Sequence, residues 1–270
     1  MTAPMKNIKE DQISKYGLTL NQIYNEDCLV GMKRIKDNSI DMILCDLPYG
    51  TTACKWDSVI PIEDLWIEYK RIIKPNGAIV LFGSQPFTSR LVSSNMDWFK
   101  YSWVWKKNRA TGHVHAKNKP MKIHEDICVF SSGTTIHANQ SKNRMPYNPQ
   151  NLIELDKPTI RKRNDNGDDT FMSARDSHKP TIQKYTNYPT SILEFSIEMN
   201  EKRIHETQKP IELCKYLIQT YSEENEIILD NCMGSGSTAI ASIISNRQFI
   251  GFENNFKNYT QSKERLKNYE

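Results

Sequence analysis

The chain has 270 residues, 38% hydrophobic and 25% charged, which fits one large α/β domain with an insertion or two small domains with packed cores. No apolar stretch approaches membrane-spanning length, and the polar start of the chain, Met1 to Leu20, lacks the apolar centre of a signal peptide, so a cytoplasmic location is expected. The net charge of +4 is too small to name a partner, yet Lys100 to Lys122 holds seven Lys/Arg and no acid. That stretch suits a phosphate backbone, with a solvated basic loop as the plain alternative.

In chain order, short apolar runs alternate with amphipathic segments, the pattern of a parallel-rich sheet covered on both faces. The runs Gln22–Glu26, Ile40–Cys45, Ala78–Phe82, Tyr101–Trp105, Ile127–Phe130, Glu226–Leu229 and Phe249–Phe252 read as strands. Ile62, Leu65, Trp66, Tyr69, Ile72 and Ile73 follow helical spacing, with Pro75-Asn76-Gly77 as the stop. A second helix opens with Pro210 in its first turn and carries Leu213, Cys214, Leu217, Ile218 and Tyr221 on one face. Two more are expected at about Ser237–Ser245 and from about Phe256 onward. From Gly133 to about Arg203 the chain is polar and without period. Its aromatic residues Tyr147, Phe171, Tyr185, Tyr188 and Phe195 suggest a partly ordered, inserted substrate-recognition region.

The six cysteines (Cys28, Cys45, Cys54, Cys128, Cys214 and Cys232) show no CxxC pair, so neither a disulfide framework nor a zinc site is indicated. His113 and His115 lie in the basic stretch without companion ligands, and no metal is expected. Met96, Trp98, Phe99, Trp103 and Trp105 read as core rather than as a stacking platform. Lys55-Trp56-Asp57 is either part of a catalytic loop or an ordinary turn leading into a helix.

Two strings carry chemistry. In the first, the apolar run Ile40–Cys45 ends in Asp46-Leu47-Pro48-Tyr49. Ligand-binding groups collect at the carboxyl ends of strands in open α/β sheets. An exocyclic base amine is a poor nucleophile because its lone pair is delocalised into the ring. A carboxylate and a turn carbonyl that accept its two hydrogens improve it, and an aromatic ring offers the base a stacking surface. Without such a substrate, the string is a strand-ending turn with an acidic cap. In the second, a strand runs through Asp230-Asn231-Cys232-Met233 into Gly234-Ser235-Gly236-Ser237-Thr238 and a helix, which lets the backbone approach a ligand at an electropositive helix start. No lysine follows the glycines, so this is not a phosphate-binding P-loop, and the third glycine of a dinucleotide fingerprint is missing. The next strand ends in Glu253, 23 residues after Asp230, where an acceptor for ribose hydroxyls belongs; a carboxylate at a helix cap is the alternative.

On these residues the chain resembles the amino-methylating DNA methyltransferases, in the permuted (β-type) order that places the catalytic motif before the S-adenosylmethionine (AdoMet) motif. The resemblance runs from about Gln22 to Phe256. Asp46-Leu47-Pro48-Tyr49 matches the family's Asp-Pro-Pro-Tyr, with leucine at a position that contributes a main-chain carbonyl. Asp230 and Gly234 to Thr238 match its AdoMet loop, and Glu253 its ribose acid. Thr207-Gln208-Lys209-Pro210 matches its Thr-Gln-Lys-Pro element, and Asn25-Glu26-Asp27-Cys28 resembles the strand end that touches the cofactor adenine. Trp103-Val104-Trp105-Lys106 and His124-Glu125 recur at comparable points.

The resemblance implies a doubly wound, mostly parallel Rossmann-like α/β sheet with an inserted target-recognition region. The expected segments are a polar extension at 1–20, a catalytic half at 21–133, the insert at 134–203 and an AdoMet-binding half at 204–270. It implies transfer of a methyl group from AdoMet to N6 of adenine in duplex DNA, by base flipping and direct displacement. Cytosine N4 is the alternative, with an RNA or protein methyltransferase and a non-catalytic DNA-binding module as further rivals. Adenine is preferred because the family's cytosine enzymes more often carry serine where Asp46 stands. The implied catalytic residues are Asp46, Leu47, Pro48 and Tyr49. Cofactor contacts are implied for Asp27, Cys28, Asp46, Thr207, Gln208 and Lys209. They are implied also for Asp230, Cys232, Gly234, Ser235, Gly236, Ser237, Thr238, Glu253 and Asn254. Lys106, Lys107, Arg109, Lys117 and Lys119 are expected on DNA. A homodimer and a restriction endonuclease partner are compatible with the family, and no membrane role is expected.

Overall fold

A computed structural model describes residues 16–50, 59–136, 141–161, 181–197 and 208–269. Its centre is an eight-stranded sheet in the order β1-β10-β9-β2-β3-β5-β4-β8. In chain order these are β1 (Gln22–Tyr24), β2 (Ile40–Cys45), β3 (Ile73–Gly83), β4 (Phe99–Thr111), β5 (Lys122–Phe130), β8 (Ile192–Glu194), β9 (Ile227–Asp230) and β10 (Gln248–Phe252). The pairs are parallel except β3 with β5 and β5 with β4.

Helices cover both faces because the central strands are apolar on both. Along β2, Met42 and Leu44 enter one core with α4 (Ile211–Tyr221) and α5 (Ser237–Ile244). Ile43 and Cys45 enter the other with α1 (Cys28–Met32), α2 (Ile62–Ile72) and α3 (Phe87–Ser94). The expected face of α4 is buried in full, although Pro210 is its cap and lies one residue outside the helix. The last helix, α6 (Phe256–Leu266), is capped by Asn255, whose side chain accepts from the Lys257 and Asn258 amides.

Chain order reverses between β2 and β9, which lie side by side at the centre of the sheet. From β2 the chain passes through α2 to β3 on one side, and from β9 through α5 to β10 on the other. A cleft at the carboxyl ends of two such strands is where open α/β sheets bind ligands.

Pro75-Asn76-Gly77 proves to lie inside β3 rather than at the end of a helix. Lys74, before the proline, is disfavoured in helical conformation, so the chain turns extended at Ile73, which pairs with Ile40. Asn76 has φ 66° there, and the register with β2 shifts between Ile40 and Met42.

The basic stretch extends β4 and β5 well beyond the apolar runs, as an antiparallel pair joined through a short 3-10 turn at His113–His115. A separate compact unit, Pro149–Thr190, holds β6 (Ile153–Arg161) and β7 (Thr181–Thr186), an antiparallel pair with Ile160 opposite Ile182. Tyr147, Tyr185 and Tyr188 are exposed, against the expectation that they bury, whereas Phe195 packs on Tyr216; Phe171 lies outside the described residues. No described helix is long and apolar enough to cross a membrane.

One packing contact fixes α1 over β10. A Cβ added at Gly31 would stand 2.2 Å from a ring carbon of Phe252, itself fully buried. Gly31→Ala should therefore destabilise the fold by about 1–3 kcal/mol, the usual range for overpacking a core. Urea denaturation measures this; a change of a few tenths would mean that the ring moves freely.

Candidate active site

β2 delivers Asp46 to the cleft, and β9, its neighbour, delivers Asp230 and Asn231. The Asp46 carboxylate is held at both oxygens. Oδ1 accepts from the Tyr49 hydroxyl at 2.8 Å, and Oδ2 lies 2.5 Å from the Lys209 ammonium. The Tyr49 ring stacks on Phe87 with centroids 5.0 Å apart, which fixes its plane. Leu47 turns its side chain into the core, as an apolar residue at that position should.

The glycine turn after β9 is built from main-chain hydrogen bonds. The Asp230 carboxylate accepts from the Cys232 amide, and the Met233 amide donates to the Phe252 carbonyl. Glu253 Oε2 accepts from the Gly234 amide at 2.8 Å, while Oε1 accepts from Asn255. Gly236 caps α5 at φ 81°, and a Cβ there would press within 3.2 Å of Ser262. Arg265, from α6, donates to the Ser235 carbonyl and to Ser237 Oγ, bracing the turn from below. From α2, the Tyr69 hydroxyl donates to Asn231 Oδ1 at 2.5 Å, and the Asn231 amide reaches the Cys28 and Cys232 sulfurs.

These two turns line one cavity of about 400 Å³. It brings together Asp46, Leu47, Pro48 and Tyr49 with Asp27, Cys28, Gln208 and Lys209. On its far wall are Asp230, Cys232, Gly234, Ser235, Ser237, Thr238, Glu253 and Asn254. Gly236 shapes the turn without lining the cavity, and Thr207 and Lys55-Trp56-Asp57 lie outside the described residues. Sequence reasoning missed the contributions of Phe82, Val59 to Pro61, Met233, Asn231 and Asn258. Phe82 stands near the carboxyl end of β3 and could have been found by its place on the strand. Glu125, from the string His124-Glu125, also lines the cavity.

The charges form a connected set. Lys209, 8% exposed, also approaches Glu125 at 3.3 Å, and Glu125 is paired with Lys107 on its other oxygen. Burial opposes the Lys209 charge, but Asp46 and Glu125 outweigh it and hold the ammonium above its ordinary range. Burial likewise pushes Glu125 up, and Lys209 with Lys107 overcomes it, so that carboxyl lies below its ordinary value. Burial raises Asp230 to about 6 despite the Thr238 hydroxyl and Cys232 amide. Its folded form therefore binds a proton that the unfolded chain has lost, and its contribution to stability falls as pH rises from 3.8 to about 6. Asp230→Asn should flatten that part of the stability–pH curve, measured by urea denaturation across the window; an unaltered slope would count against a buried carboxyl there.

The family profile of the N6/N4 DNA methylases matches residues 40–264, most of the chain and both turns of the cavity. The chain belongs to this family. The methylase is 26% identical to the type II methyltransferase M.HindIII of Haemophilus influenzae over 90% of its own length and 94% of that protein's. Its fold is similar to M1.HpyAVI, solved as a SAM complex, with a TM-score of 0.58, 23% identity and coverage of 91% and 99% of the two chains. It is also similar to the PvuII cytosine-N4-specific DNA methyltransferase, with a TM-score of 0.62, 15% identity and coverage of 93% and 90%. These likenesses bear out the expected mostly parallel Rossmann-like fold.

In this methylase the basic stretch divides. Lys107 is folded inward onto Glu125 and over the Trp105 ring, which makes it a poor phosphate contact. Lys106 pairs with Glu194 at the surface, and Arg109, Lys117 and Lys119 are exposed around the 3-10 turn with His113 and His115. Among the described residues no group of side chains could hold a metal ion. Trp103 and Trp105 are core, their ring N–H groups donating to the Tyr221 hydroxyl and the Phe195 carbonyl. Trp98 and Phe99 are half-buried and Met96 is exposed. Burial pushes the Cys45 thiol up to about 12, which removes it as a nucleophile at neutral pH.

Proposed function

We propose that the methylase transfers the methyl group of AdoMet to N6 of adenine in duplex DNA. One observation carries this reading: the Asp46 carboxylate at the end of β2 and the glycine turn after β9 face the same cavity. The cavity suits AdoMet in size and in lining, with the Glu253 and Asp27 carboxylates as acceptors and apolar walls from Met233, Ile60 and Phe82. AdoMet, when bound, supplies an electrophilic methyl group on a sulfonium.

This chain's residues do the positioning. Glu253 accepts ribose hydroxyls, and Gly234 with Ser235 admits the cofactor backbone. Asp46 and the Leu47 carbonyl accept the hydrogens of the target amine, and Tyr49 stacks on a base rotated out of the duplex. No side-chain nucleophile takes part, because the amine itself attacks. Arg109, Lys117 and Lys119 meet the phosphates, and the 134–203 region, which includes the Pro149–Thr190 unit, reads the sequence. The order of the turns, Asp46 before Gly234, supports the permuted arrangement.

A carboxylate at Asp46 supports adenine over cytosine. Mass spectrometry of nucleosides from duplex DNA treated with the methylase should give N6-methyladenine. N4-methylcytosine in its place would overturn the base assignment while leaving the site intact.

A further inference from the structure

The match of Thr207-Gln208-Lys209-Pro210 to the family's Thr-Gln-Lys-Pro element implies a cofactor contact for Lys209. Its ammonium lies between Asp46 Oδ2 at 2.5 Å and Glu125 Oε2 at 3.3 Å, 5.0 Å from the Phe82 ring centroid. Its main-chain carbonyl accepts from Ser237 Oγ at 2.8 Å. Glu125 Oε2 is buried and has no hydrogen bond of good geometry, and the Lys209 ammonium faces it at 3.3 Å. The result is a row that alternates in charge: Asp46, Lys209, Glu125, Lys107.

We propose that Lys209 is a positioning residue for methyl transfer, its ammonium fixing the plane of the Asp46 carboxylate against Glu125 while its main chain ties that carboxylate to the glycine turn through Ser237. The proposal rests on reading Asp46 as the acceptor for the target amine. A carboxylate anchored on one oxygen by the Tyr49 hydroxyl and on the other by a buried ammonium cannot rotate freely. Its remaining lone pairs therefore point in fixed directions. Because Lys209 emerges just before the cap of α4 and bonds to the first residue of α5, displacement of either turn moves the other.

Removing the ammonium leaves the buried Glu125 carboxylate and the half-buried Asp46 carboxylate without the cation between them, with Lys107 paired to Glu125 alone, and two like charges left so close favour uptake of a proton. The groups facing the two carboxylates are Tyr49 on the same turn, Cys45 at the end of β2, Lys107 on β4, Lys122 on β5, Cys214 on α4 and Asp230 at the end of β9. The shared proton is lost again as pH rises, so the defect shrinks toward alkaline pH.

The test measures single-turnover methyl transfer across pH, with AdoMet affinity by calorimetry and folding by thermal melting. Lys209→Met should lower the rate ~100-fold near neutral pH, as a misplacement of about 1 Å does. The acid limb of its profile should move upward with AdoMet affinity little changed. Lys209→Arg should restore much of the rate, and it keeps the test open if the methionine variant fails to fold. Adding Glu125→Gln to Lys209→Met should bring the acid limb back, since the competing carboxylate is gone. A wild-type rate and profile in Lys209→Met would overturn the proposal. So would weakened AdoMet binding with an unchanged saturating rate, which would make Lys209 a cofactor contact. Asp46→Ala runs alongside: normal transfer by that variant would remove the underlying reading of the site, separately from any result at Lys209.

Discussion

Asp46→Ala is expected to abolish measurable turnover, a loss of ~10³-fold or more, while AdoMet affinity stays near that of the wild type. The loss combines a missing acceptor for the target amine, of the order that general-base groups contribute, with disorder in the groups that Asp46 anchors. Tyr49 loses its hydroxyl partner and Lys209 one of its two carboxylates. The cofactor wall is spared, because Glu253 and the turn amides are fixed by their own bonds and by Arg265. Asp46→Asn should fall between the two, keeping an acceptor oxygen while losing the charge that Lys209 is paired with. Radiolabelled methyl transfer together with calorimetry separates these outcomes; full activity in the alanine variant would dismiss the assigned role.

Glu253→Ala should do the reverse, weakening AdoMet binding ~100-fold. Hydrogen bonds to a charged group contribute about 1.5–3 kcal/mol each, and a tenfold change in affinity corresponds to about 1.4 kcal/mol. The substitution removes an acceptor for ribose and also leaves the Gly234 and Asn255 amides without the carboxylate that now receives them. The turn then loses its shape as well as its ligand. Glu253→Gln, which keeps one acceptor oxygen, should bind with intermediate affinity. Calorimetric titration of the two variants decides it: equal affinity in the alanine variant and the wild type would place the ribose elsewhere.

Much of the central sheet was legible because burial on both faces leaves an unbroken apolar run. β2 falls at the expected bounds, Ile40–Cys45, and β9 and β10 within a residue. The basic half of β4 and β5 was hidden because strands that leave the core lose their apolar signal and keep only backbone pairing. β6 and β7 were hidden for a related reason: Ile153, Ile160 and Ile182 are exposed, so no buried face imposes a period. At the site, the two turns could be read as strings, since their chemistry depends on adjacent residues. Glu125 and Lys107 could not be, because their role comes from a pairing across two strands that only the fold supplies. The lysine run suits a phosphate backbone as a string, yet alternation along β4 turns Lys106 outward and Lys107 in toward Glu125.

In the proposed reaction, methyl donor and target amine meet between the neighbouring strands β2 and β9. A crystal structure of the methylase with sinefungin, an unreactive AdoMet analogue, addresses it most directly. The ribose is expected on Glu253, with the amine that replaces the sulfonium methyl opening toward Asp46 and Tyr49. An analogue bound with that end turned away from Asp46, or bound outside this cavity, would contradict it.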